Sequence, residues 1–522
     1  MAPYQQHDCG ESVQEHVRLC QLGLSAVQTR FPTGLLNAGP VPRDGYIISL
    51  ASAIGNTLIA NMTLTVLSDE QVKDILENLS LDELEDFRKT LASALHAFST
   101  SLGTDGLGVF QQPHRVSTLH PDTQATTLYM PSCGPSGMGC KVVSLTSGEA
   151  AKDPNIQQIS PTGVVNLFSP DGKPIGLVHA STLTAFRTAL ASLCLVYRRN
   201  HVKTITVFGS GMQAYWHVRL ALMMRGSTVK HVNIINHRFS DSAGRILKKF
   251  AIIPPEVKAR EGWEAAKFTI LTPTFHEFNR LQKEYIRNAD IIYCCTPSRE
   301  ELFDASILTN HEGRKKGRLI VAVGSYTPEM RELPEGLLQL VTKPREKGHR
   351  HFHRHADEGG VIVVDTLDGV LSEAGEIIAA KIPPTQLVEL GELVMLHRMA
   401  VDESESEASD VMSQTSSFSE LDISDRSPSM NTVYSDMPSS PSSPTSTSAR
   451  SRSPFGKHFR KTSSNVSDKD KEKQKDDALS RWLRDGTVVY KSVGVGLMDL
   501  VVGTELVEIA KRKNIGTQIE GF

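Results

Sequence analysis

The stretch that most constrains the fold of this chain is residues 203–226, KTITVFGSGMQAYWHVRLALMMRG. A short β-branched run, Thr204–Phe208, precedes Gly209, Gly211 and Ala214 at G-x-G-x-x-A spacing, and an apolar segment of helical period follows. This order predicts a strand, a tight turn and a helix. Such a unit is typical of dinucleotide binding, because its glycines allow the turn and a close approach to pyrophosphate, and the small alanine lets helix and strand pack closely. The amide groups of the first helical turn then face the phosphates.

Similar β-branched apolar runs recur after Gly226, separated by segments long enough for helices. They lie at residues 231–235, 268–271, 291–294, 319–323 and 361–364. Together with Thr204–Phe208 they predict six strands of a doubly wound, Rossmann-type parallel sheet, and so an α/β fold.

The region before the glycine turn predicts a different, α+β arrangement. It contains a strand at residues 63–67, two helices opened by the capping boxes Ser68/Gln71 and Ser80/Glu83, and a hairpin of residues 163–168 and 174–178. A helix from Ser181 to Tyr197 then leads to the glycine turn. Residue 487 begins one more strand, which runs to residue 490.

Charge and cysteine content narrow the class of protein. The 522 residues include 56 basic and 59 acidic side chains, so the net charge of −3 gives no reason to expect nucleic acid or a membrane as a partner. Seven cysteines without a C-x-x-C pair indicate reduced thiols. The acidic N-terminus carries no targeting signal, and no apolar run is long enough to span a bilayer. We expect a cytoplasmic protein.

Three segments fall outside these patterns. Residues 1–61 form an N-terminal extension of unknown role. Residues 343–358 contain four alternating histidines among basic residues, and without a second ligand cluster a solvated basic loop is the expectation, with no metal site. Residues 402–478 are rich in serine and in Ser-Pro pairs and have few apolar residues, which predicts disorder. This insertion is either a phosphorylated tether that binds a kinase or a phospho-dependent partner, or a tolerated surface insertion.

Three cations outside the nucleotide sheet are candidates for an anion site. Arg115 stands in QPHR, Lys141 in GMGCKVVS and Arg187 in LTAFRTALAS. Each cation taken alone is better explained as a solvated surface charge. A guanidinium group offers a bidentate fork for a carboxylate, and an ammonium group offers a compact charge.

The motifs around these cations, in their order along the chain, resemble the ornithine cyclodeaminase and mu-crystallin family. The resemblance runs from about residue 62 to 521, without the two insertions. It is carried by the following markers: Arg115 ahead of Met130-Pro131, Gly139-x-Lys141-Val142-Val143-Ser144, Leu183-Thr184-Ala185-x-Arg187-Thr188-Ala189, Phe208-Gly209-x-Gly211-x-Gln213-Ala214, Gly324-x-x-x-Pro328 before Arg331-Glu332-Leu333, Val364-Asp365 before Glu373-Ala374-Gly375, and Lys491-Ser492-Val493-Gly494 before Asp499.

The resemblance implies a homodimer in which a nucleotide domain is inserted into a substrate-binding and dimerisation domain. We assign residues 62–188 and 486–522 to the substrate domain and 189–400 to the Rossmann NAD(P) domain. By the resemblance, Arg115, Lys141 and Arg187 hold the carboxylate of a small amino or imino acid, and hydride passes between its α-carbon and the nicotinamide. We assign the cofactor to the following residues: Thr188, Gly209, Ser210, Gly211, Gln213, Ala214, Asn236, His237, Arg238, Thr296 and Gly324.

One position departs from the cyclodeaminase pattern at the catalytic acid or base. Family cyclodeaminases carry an aspartate after the position of Gly324, where this chain has Tyr326. We predict Lys141 and Tyr326 as catalytic residues. A tyrosine with an ordinary pKa of about 10 donates a proton but is a poor base at neutral pH. The alternatives are that Tyr326 only lines the pocket, or that Glu329 points inward and replaces the aspartate.

The stretch before Met130 differs as well, because Thr127-Leu128-Tyr129 offers no carboxylate for the distal amine of ornithine. The end of the second strand of the parallel sheet, Asn236-His237-Arg238, lacks the acid that usually binds the ribose of NAD. Arg238 instead suits a 2′-phosphate, so NADP(H) is favoured over NAD(H).

Three classes of function follow. The first is an NAD(P)-dependent enzyme of amino-acid metabolism, either a lyase that converts ornithine to proline and ammonia or an oxidoreductase that reduces imines or oxidises amino acids. The missing carboxylates favour the oxidoreductase. The second is a mu-crystallin-like protein that binds NADP(H) and a small ligand without significant turnover. The third is a scaffold whose function resides in the Ser/Pro-rich insertion.

Overall fold

The computed structural model describes residues 63–101, 109–146, 159, 161–238, 241–343, 360–394 and 479–522. The predictions made for the extension at 1–61, for the histidine-rich segment after residue 343 and for the insertion at 402–478 lie outside the described residues.

A seven-stranded mixed sheet forms the first layer. Its strands pair in the order β15 (Thr517–Glu520), β1 (Thr63–Leu67), β6 (Pro174–His179), β5 (Thr162–Phe168), β4 (Gly137–Thr146), β3 (Ala125–Gly134) and β2 (Val116–Leu119). All neighbours are antiparallel except β1 and β6. The hairpin between β5 and β6 is confirmed, with Gly172 at a φ of +82° in its turn. The sequence analysis did not predict β2, β3 and β4, since their mixed polar and apolar residues show no strict alternation.

Four helices accompany this sheet: α1 (Asp69–Glu77), α2 (Leu81–Ser101), α3 (Ala180–Val196) and α13 (Gly496–Lys513). Both predicted capping boxes are confirmed; the Gln71 amide donates to Ser68 Oγ over 3.3 Å and the Glu83 amide to Ser80 Oγ over 3.1 Å. The predicted start of α3 at Ser181 is wrong. His179, in an extended conformation at the end of β6, is the N-cap, because its Nδ1 accepts from the Ser181 amide.

An eight-stranded sheet forms the second layer, and all of its neighbouring strands are parallel. Its order is β13 (Leu387–Glu389), β12 (Ile362–Val364), β14 (Val488–Lys491), β11 (Leu319–Ala322), β10 (Ile291–Cys294), β7 (Thr204–Phe208), β8 (His231–Ile235) and β9 (Lys267–Leu271). The six predicted parallel strands are confirmed. The strand order reverses between β7 and β10, and such a switch point opens a crevice at the carboxyl ends of the strands.

Helices and short connections surround the parallel sheet. They are α4 (Met212–Arg225), α5 (Asp241–Ile252), α6 (Pro255–Glu261), α7 (Phe278–Asn288), α8 (Ser306–Thr309), α9 (Glu335–Val341), α10 (Leu367–Glu373), α11 (Gly375–Ala379) and α12 (Leu390–Val394). In the described part of the chain, no helix has the length and apolar character needed to cross a membrane.

Strand β14 corrects the predicted domain division. Residues 486–522 were predicted to belong to the substrate domain, but β14 lies inside the parallel sheet between β11 and β12. Its fully buried residues make it a central strand of that sheet. The chain therefore passes from the nucleotide sheet to α13 only at residues 492–495. The predicted division between residues 188 and 189 likewise falls within a single helix, α3.

Aromatic contacts join the two layers into one core. The ring of Phe186 on α3 makes edge-to-face contacts with Phe87 on α2 and Trp216 on α4, with centroids 5.5 and 5.3 Å apart. Such pairs add to the apolar area that these side chains bury. The helix that ends the first layer is thus packed directly against the helix that follows the glycine turn.

Candidate functional site

The glycine turn after β7 has the backbone that its sequence predicts. Gly209 has a φ of +104°, which favours glycine, and a Cβ at this position would lie 2.8 Å from the carbonyl oxygen of Cys295. Its amide donates to the Ile235 carbonyl over 2.9 Å. The turn is therefore fixed against the ends of β8 and β10, and no other residue type fits at 209 without a shift.

The N-terminus of α4 is open. Gly211 is the N-cap residue and supplies no side-chain cap, and a Cβ added to it would meet no atom within 4 Å. Nearby, Gln213 Oε1 is buried without a hydrogen-bond partner among the described residues. Ala214 is fully buried against the sheet. Unpaired amide groups at an open helix N-terminus fit the pyrophosphate of a dinucleotide, so this end of α4 can hold one.

The end of β8 carries amide and basic side chains. Asn236 is buried and its Nδ2 donates to the carbonyl of Arg238 over 2.8 Å, whereas His237 and Arg238 are exposed. Two bases are therefore accessible at the position where nucleotide folds bind the adenosine ribose.

The ends of β10 and β11 are held together by Glu332. Its carboxylate accepts from the Thr296 amide over 2.8 Å and from the Gly324 amide over 2.7 Å. A Cβ at Gly324 would lie 2.2 Å from the Thr296 carbonyl oxygen, so only glycine allows this approach. Burial raises the pKa of Glu332 to about 7.

The Thr188 hydroxyl, which was assigned to the cofactor, donates instead to the Thr184 carbonyl within α3.

Lys141 and Arg187 share one carboxylate. Lys141 Nζ on β4 lies 2.8 Å from Asp499 Oδ2, and Arg187 Nε on α3 lies 3.1 Å from Asp499 Oδ1. The side chains of Lys141 and Arg187 are each only 4% exposed and that of Asp499 is 1% exposed, which makes a solvated surface role for these two cations wrong. The structure thus brings together two of the three predicted cations through an acid on α13.

Burial and charge make Lys141 easy to deprotonate. Burial and then the neighbouring Arg187 lower the pKa of Lys141 to about 8, although Asp499 acts in the opposite direction. The ammonium group therefore titrates close to neutral pH, whereas guanidinium groups stay charged.

Arg115 completes the cluster from the other side. Its Nη2 lies 2.5 Å from Glu373 Oε2 and also donates to the carbonyl oxygens of Val493 and Gly494 over 3.3 and 3.4 Å. Gly494 has a φ of +85°, and a Cβ there would lie 2.8 Å from Arg187 Nη1. The turn at Val493 and Gly494 therefore lies between the two arginines.

A cavity opens beside Arg115 and is lined by residues of both layers. Arg115 and Met130 come from the antiparallel strands and their approach, Thr366 and Glu373 follow β12, and Gly494 follows β14. Burial raises the pKa of Glu373, and Arg115 opposes this effect. The sequence analysis used Glu373 and Asp499 only as family markers and assigned them no chemistry, because their partners are distant in sequence.

Tyr326 lies on the loop after β11 and is half-buried. Burial raises the pKa of Tyr326, and the positive charge of Arg115 acts in the opposite direction. The loop is anchored one residue earlier, where the ammonium group of Lys491 donates to the carbonyl and hydroxyl of Ser325 over 2.5 Å each. Glu329 is exposed and bonds to Thr327, so the alternative in which it enters the pocket is wrong.

Comparison with known protein sequences agrees with this geometry. Residues 71–261 match the model of the Ornithine cyclodeaminase/mu-crystallin family. An uncharacterized protein of Saccharomyces cerevisiae is 25% identical over 64% of this chain and 86% of its own length. A Delta(1)-pyrroline-2-carboxylate reductase of Bacillus cereus is 25% identical over 51% of this chain and 68% of its own length.

Solved structures share the fold. The Thermococcus litoralis Delta(1)-pyrroline-2-carboxylate reductase, in complex with NADH and L-proline, superposes with a TM-score of 0.53 at 18% identity, covering 87% of this chain and 100% of that one. An archaeal alanine dehydrogenase dimer with bound NAD gives a TM-score of 0.51 at 16% identity, covering 88% and 100%. Over residues 71–261, which include Lys141, Arg187 and the glycine turn after β7, this chain is therefore similar to the ornithine cyclodeaminase/mu-crystallin family.

Proposed function

We propose that this protein is an NAD(P)-dependent enzyme that transfers hydride at the α-carbon of a small amino or imino acid. The observation that carries the proposal is that Lys141 and Arg187 share one buried carboxylate, while Arg115 lies across the Val493–Gly494 turn from Arg187 and lines the cavity. Neighbouring cations from separate elements, two of them nearly fully buried, are costly to assemble unless anions compensate their charge.

The charge balance of the cluster selects a carboxylate. With Glu373 neutral as the proton donor, the carboxylates of Asp499 and Asp365 balance two of the three cations, which leaves one net positive charge for a substrate. A monocarboxylate with a neutral or weakly basic nitrogen satisfies this charge. The forked arginines fix the orientation of the carboxylate plane, which places the adjacent α-carbon.

The residues present fit a dinucleotide, since the N-terminus of α4 is open at Gly211 and the oxygen of Gln213 is unpaired. We assign the pyrophosphate to Gly209, Ser210 and Gly211, and the nicotinamide end to Thr296 and Gly324. The cofactor, when bound, supplies or accepts the hydride. What the protein contributes is a fixed spacing between the two sites, through the ordered contacts from Gly209 to Thr296 and from Thr296 to Gly324.

We favour NADP(H) over NAD(H), because Arg238 and His237 are exposed where an acid would otherwise bind ribose hydroxyls. The affinities of NADPH and NADH, measured by nucleotide fluorescence in the wild type and in Arg238→Ala, test this preference. We expect the variant to lose affinity for NADPH and to keep its affinity for NADH. Equal losses for both nucleotides would contradict a 2′-phosphate site.

Reduction of an imine adds hydride to the α-carbon and a proton to the nitrogen, so a proton donor is needed. Glu373 lines the cavity and has a raised pKa, and Tyr326 lies half-buried on the loop after β11. We assign the proton to Glu373 and a supporting hydrogen bond to Tyr326. A tyrosine whose pKa is raised keeps its proton and cannot serve as the base of a cyclodeaminase.

The substrate class we infer is a small cyclic or open-chain imino acid and the corresponding amino acid, handled by a homodimer. The names of the Bacillus cereus and Thermococcus litoralis relatives, Delta(1)-pyrroline-2-carboxylate reductases, support this choice. Cyclodeamination of ornithine is the second candidate; the similarity to the family favours it, and Tyr326 in place of the usual aspartate opposes it.

A panel assay tests the proposal. Oxidation of NADPH and NADH is followed with Delta(1)-pyrroline-2-carboxylate and with keto acids plus amines, and nucleotide reduction is followed with L-proline and L-alanine. Because cyclodeamination regenerates its cofactor, ornithine is assayed by direct detection of proline and ammonia. We expect turnover with an imino acid. Tight binding of nucleotide without turnover in any assay would instead support a binding protein.

A further inference from the structure

A buried carboxylate outside the cation cluster organises the turn between the two arginines. Asp365 directly follows β12 and is only 1% exposed. Its Oδ2 accepts three hydrogen bonds from that turn, from Ser492 Oγ over 2.8 Å, the Val493 amide over 3.0 Å and the Gly494 amide over 2.6 Å.

The same turn contacts both arginines. The carbonyl oxygens of Val493 and Gly494 accept from Arg115, and the α-carbon of Gly494 is so close to the Arg187 guanidinium that a Cβ would lie 2.8 Å from it. The amide groups of the turn therefore donate to Asp365, and its carbonyl oxygens accept from Arg115. A rotation of these peptide groups would therefore change the position of Arg115 relative to Arg187.

The carboxylate of Asp365 accepts these hydrogen bonds from neutral groups of this turn. Among the ion pairs of the described residues none includes Asp365, so its partners are neutral donors. A buried carboxylate is costly unless it accepts several hydrogen bonds, and hydrogen bonds to a charged acceptor are stronger than neutral ones. Three such bonds to one oxygen give a rigid turn at the point where the chain leaves the nucleotide sheet for α13.

We infer that Asp365 is a positioning residue that sets the spacing of Arg115 and Arg187 for the substrate carboxylate, and that it fixes this pair relative to the nucleotide sheet through β12. It touches neither substrate nor cofactor and acts through the Ser492–Gly494 turn. This inference rests on the proposed function. It predicts that loss of Asp365 weakens carboxylate binding and leaves nucleotide binding intact.

The experiment compares wild type with Asp365→Asn, Ser492→Ala and a control, Asp86→Asn, whose side chain is exposed on α2. Calorimetry gives the Kd of L-proline for each NADPH-saturated protein, fluorescence gives the Kd of NADPH, and steady-state kinetics give KM and kcat for Delta(1)-pyrroline-2-carboxylate. We expect Asp365→Asn to raise the proline Kd and the KM by roughly 10- to 100-fold, as misplacement of a binding group by about 1 Å does. Ser492→Ala, which removes one donor, should raise both by about fivefold.

The NADPH Kd should stay within about twofold of wild type in all three variants, since the N-terminus of α4 is untouched. If Asp365→Asn does not fold, Ser492→Ala decides the question by the same comparison of the proline Kd with the NADPH Kd. Equal weakening of proline and NADPH binding would overturn the inference, because it would indicate general disruption. Unchanged proline binding would overturn it as well. Wild-type protein that binds no proline or other carboxylate would refute the proposed function, and the inference would fall with it.

Discussion

The ammonium group of Lys141 lies 2.8 Å from Asp499 Oδ2 in a site from which water is nearly excluded. The same carboxylate also holds Arg187 at 3.1 Å, so one acid from α13 fixes cations from β4 and α3. Because α13 follows β14 of the parallel sheet, Lys141 and Arg187 are held in place by the segment that connects the two layers.

The protonation of Lys141 should limit substrate binding at high pH. A carboxylate binds the protonated lysine, whose pKa is about 8, so affinity is full below this pH and falls as pH rises through it. We expect the KM of a carboxylate substrate to rise by up to tenfold per pH unit above about pH 8. Steady-state kinetics between pH 6 and about pH 10 measure the effect. Lys141→Arg should show little change of KM over this range, because the pKa of a free guanidinium group lies above it. An equal rise of KM in this variant would show that Lys141 is not the titrating group.

Removal of the Asp499 carboxylate should destabilise the protein. Asp499→Asn leaves two buried cations without their acid, and breaking a buried pair in this way costs about 3–5 kcal/mol of the free energy of unfolding. Thermal or urea unfolding measures the loss. Glu508→Gln, on the exposed side of the same helix, is the control and should change stability by less than about 0.5 kcal/mol. Similar stabilities of the two variants would show that pairing of Asp499 with Lys141 and Arg187 does not stabilise the fold.

Glu373 and Tyr326 should differ in their effect on the chemical step. If Glu373 is the proton donor, Glu373→Gln should lower kcat for imine reduction by about 100-fold or more, the usual contribution of a general acid. Tyr326→Phe removes only a supporting hydrogen bond and should cost less than about tenfold. Measurements of kcat against pH for each variant test these roles, because loss of the proton donor also removes the part of the pH profile in which that donor titrates. A larger effect of Tyr326→Phe would reverse the two roles.

The two glycines of the nucleotide turn should fail in different ways. Gly209→Ala places a Cβ 2.8 Å from the Cys295 carbonyl at a positive φ, so it should lower the free energy of unfolding by about 1–3 kcal/mol. Gly211→Ala meets no protein atom within 4 Å and should leave stability nearly unchanged. It should still weaken NADPH binding at least about tenfold, because its methyl group occupies the approach of the pyrophosphate. Unfolding curves and fluorescence titrations separate the two effects, and tight nucleotide binding by Gly211→Ala would contradict the site.

Local sequence patterns were sufficient to predict the elements that depend on nearby residues. The strand, turn and helix around Gly209 follow from apolar periodicity and glycine spacing, and the capping box at Ser68 follows from side chains three residues apart. The cations Arg115, Lys141 and Arg187 were identified by their motifs, although their convergence depends on the fold.

The rest depends on contacts between residues far apart in the chain. Glu373 meets Arg115 across 258 positions, and Asp499 meets Arg187 across 312. The periodicity of apolar residues along the chain does not reveal contacts between residues so far apart. Strand β14 could be predicted as a strand, but its place in the parallel sheet depends on its pairing with β11 and β12. Each of these residues belonged to a family motif, which was the available signal that they had a role.

The most direct test of hydride transfer at the α-carbon uses NADPH deuterated at C4 of the nicotinamide, prepared separately in each stereochemical form. The enzyme is incubated with Delta(1)-pyrroline-2-carboxylate, and the product is analysed by mass spectrometry and NMR. We predict that one of the two forms yields L-proline with a single deuterium on its α-carbon, and that Arg187→Met reduces this product strongly while NADPH still binds. Wild-type enzyme that binds NADPH but places deuterium on no α-carbon, with this substrate or any other imino acid of the panel, would contradict the central claim.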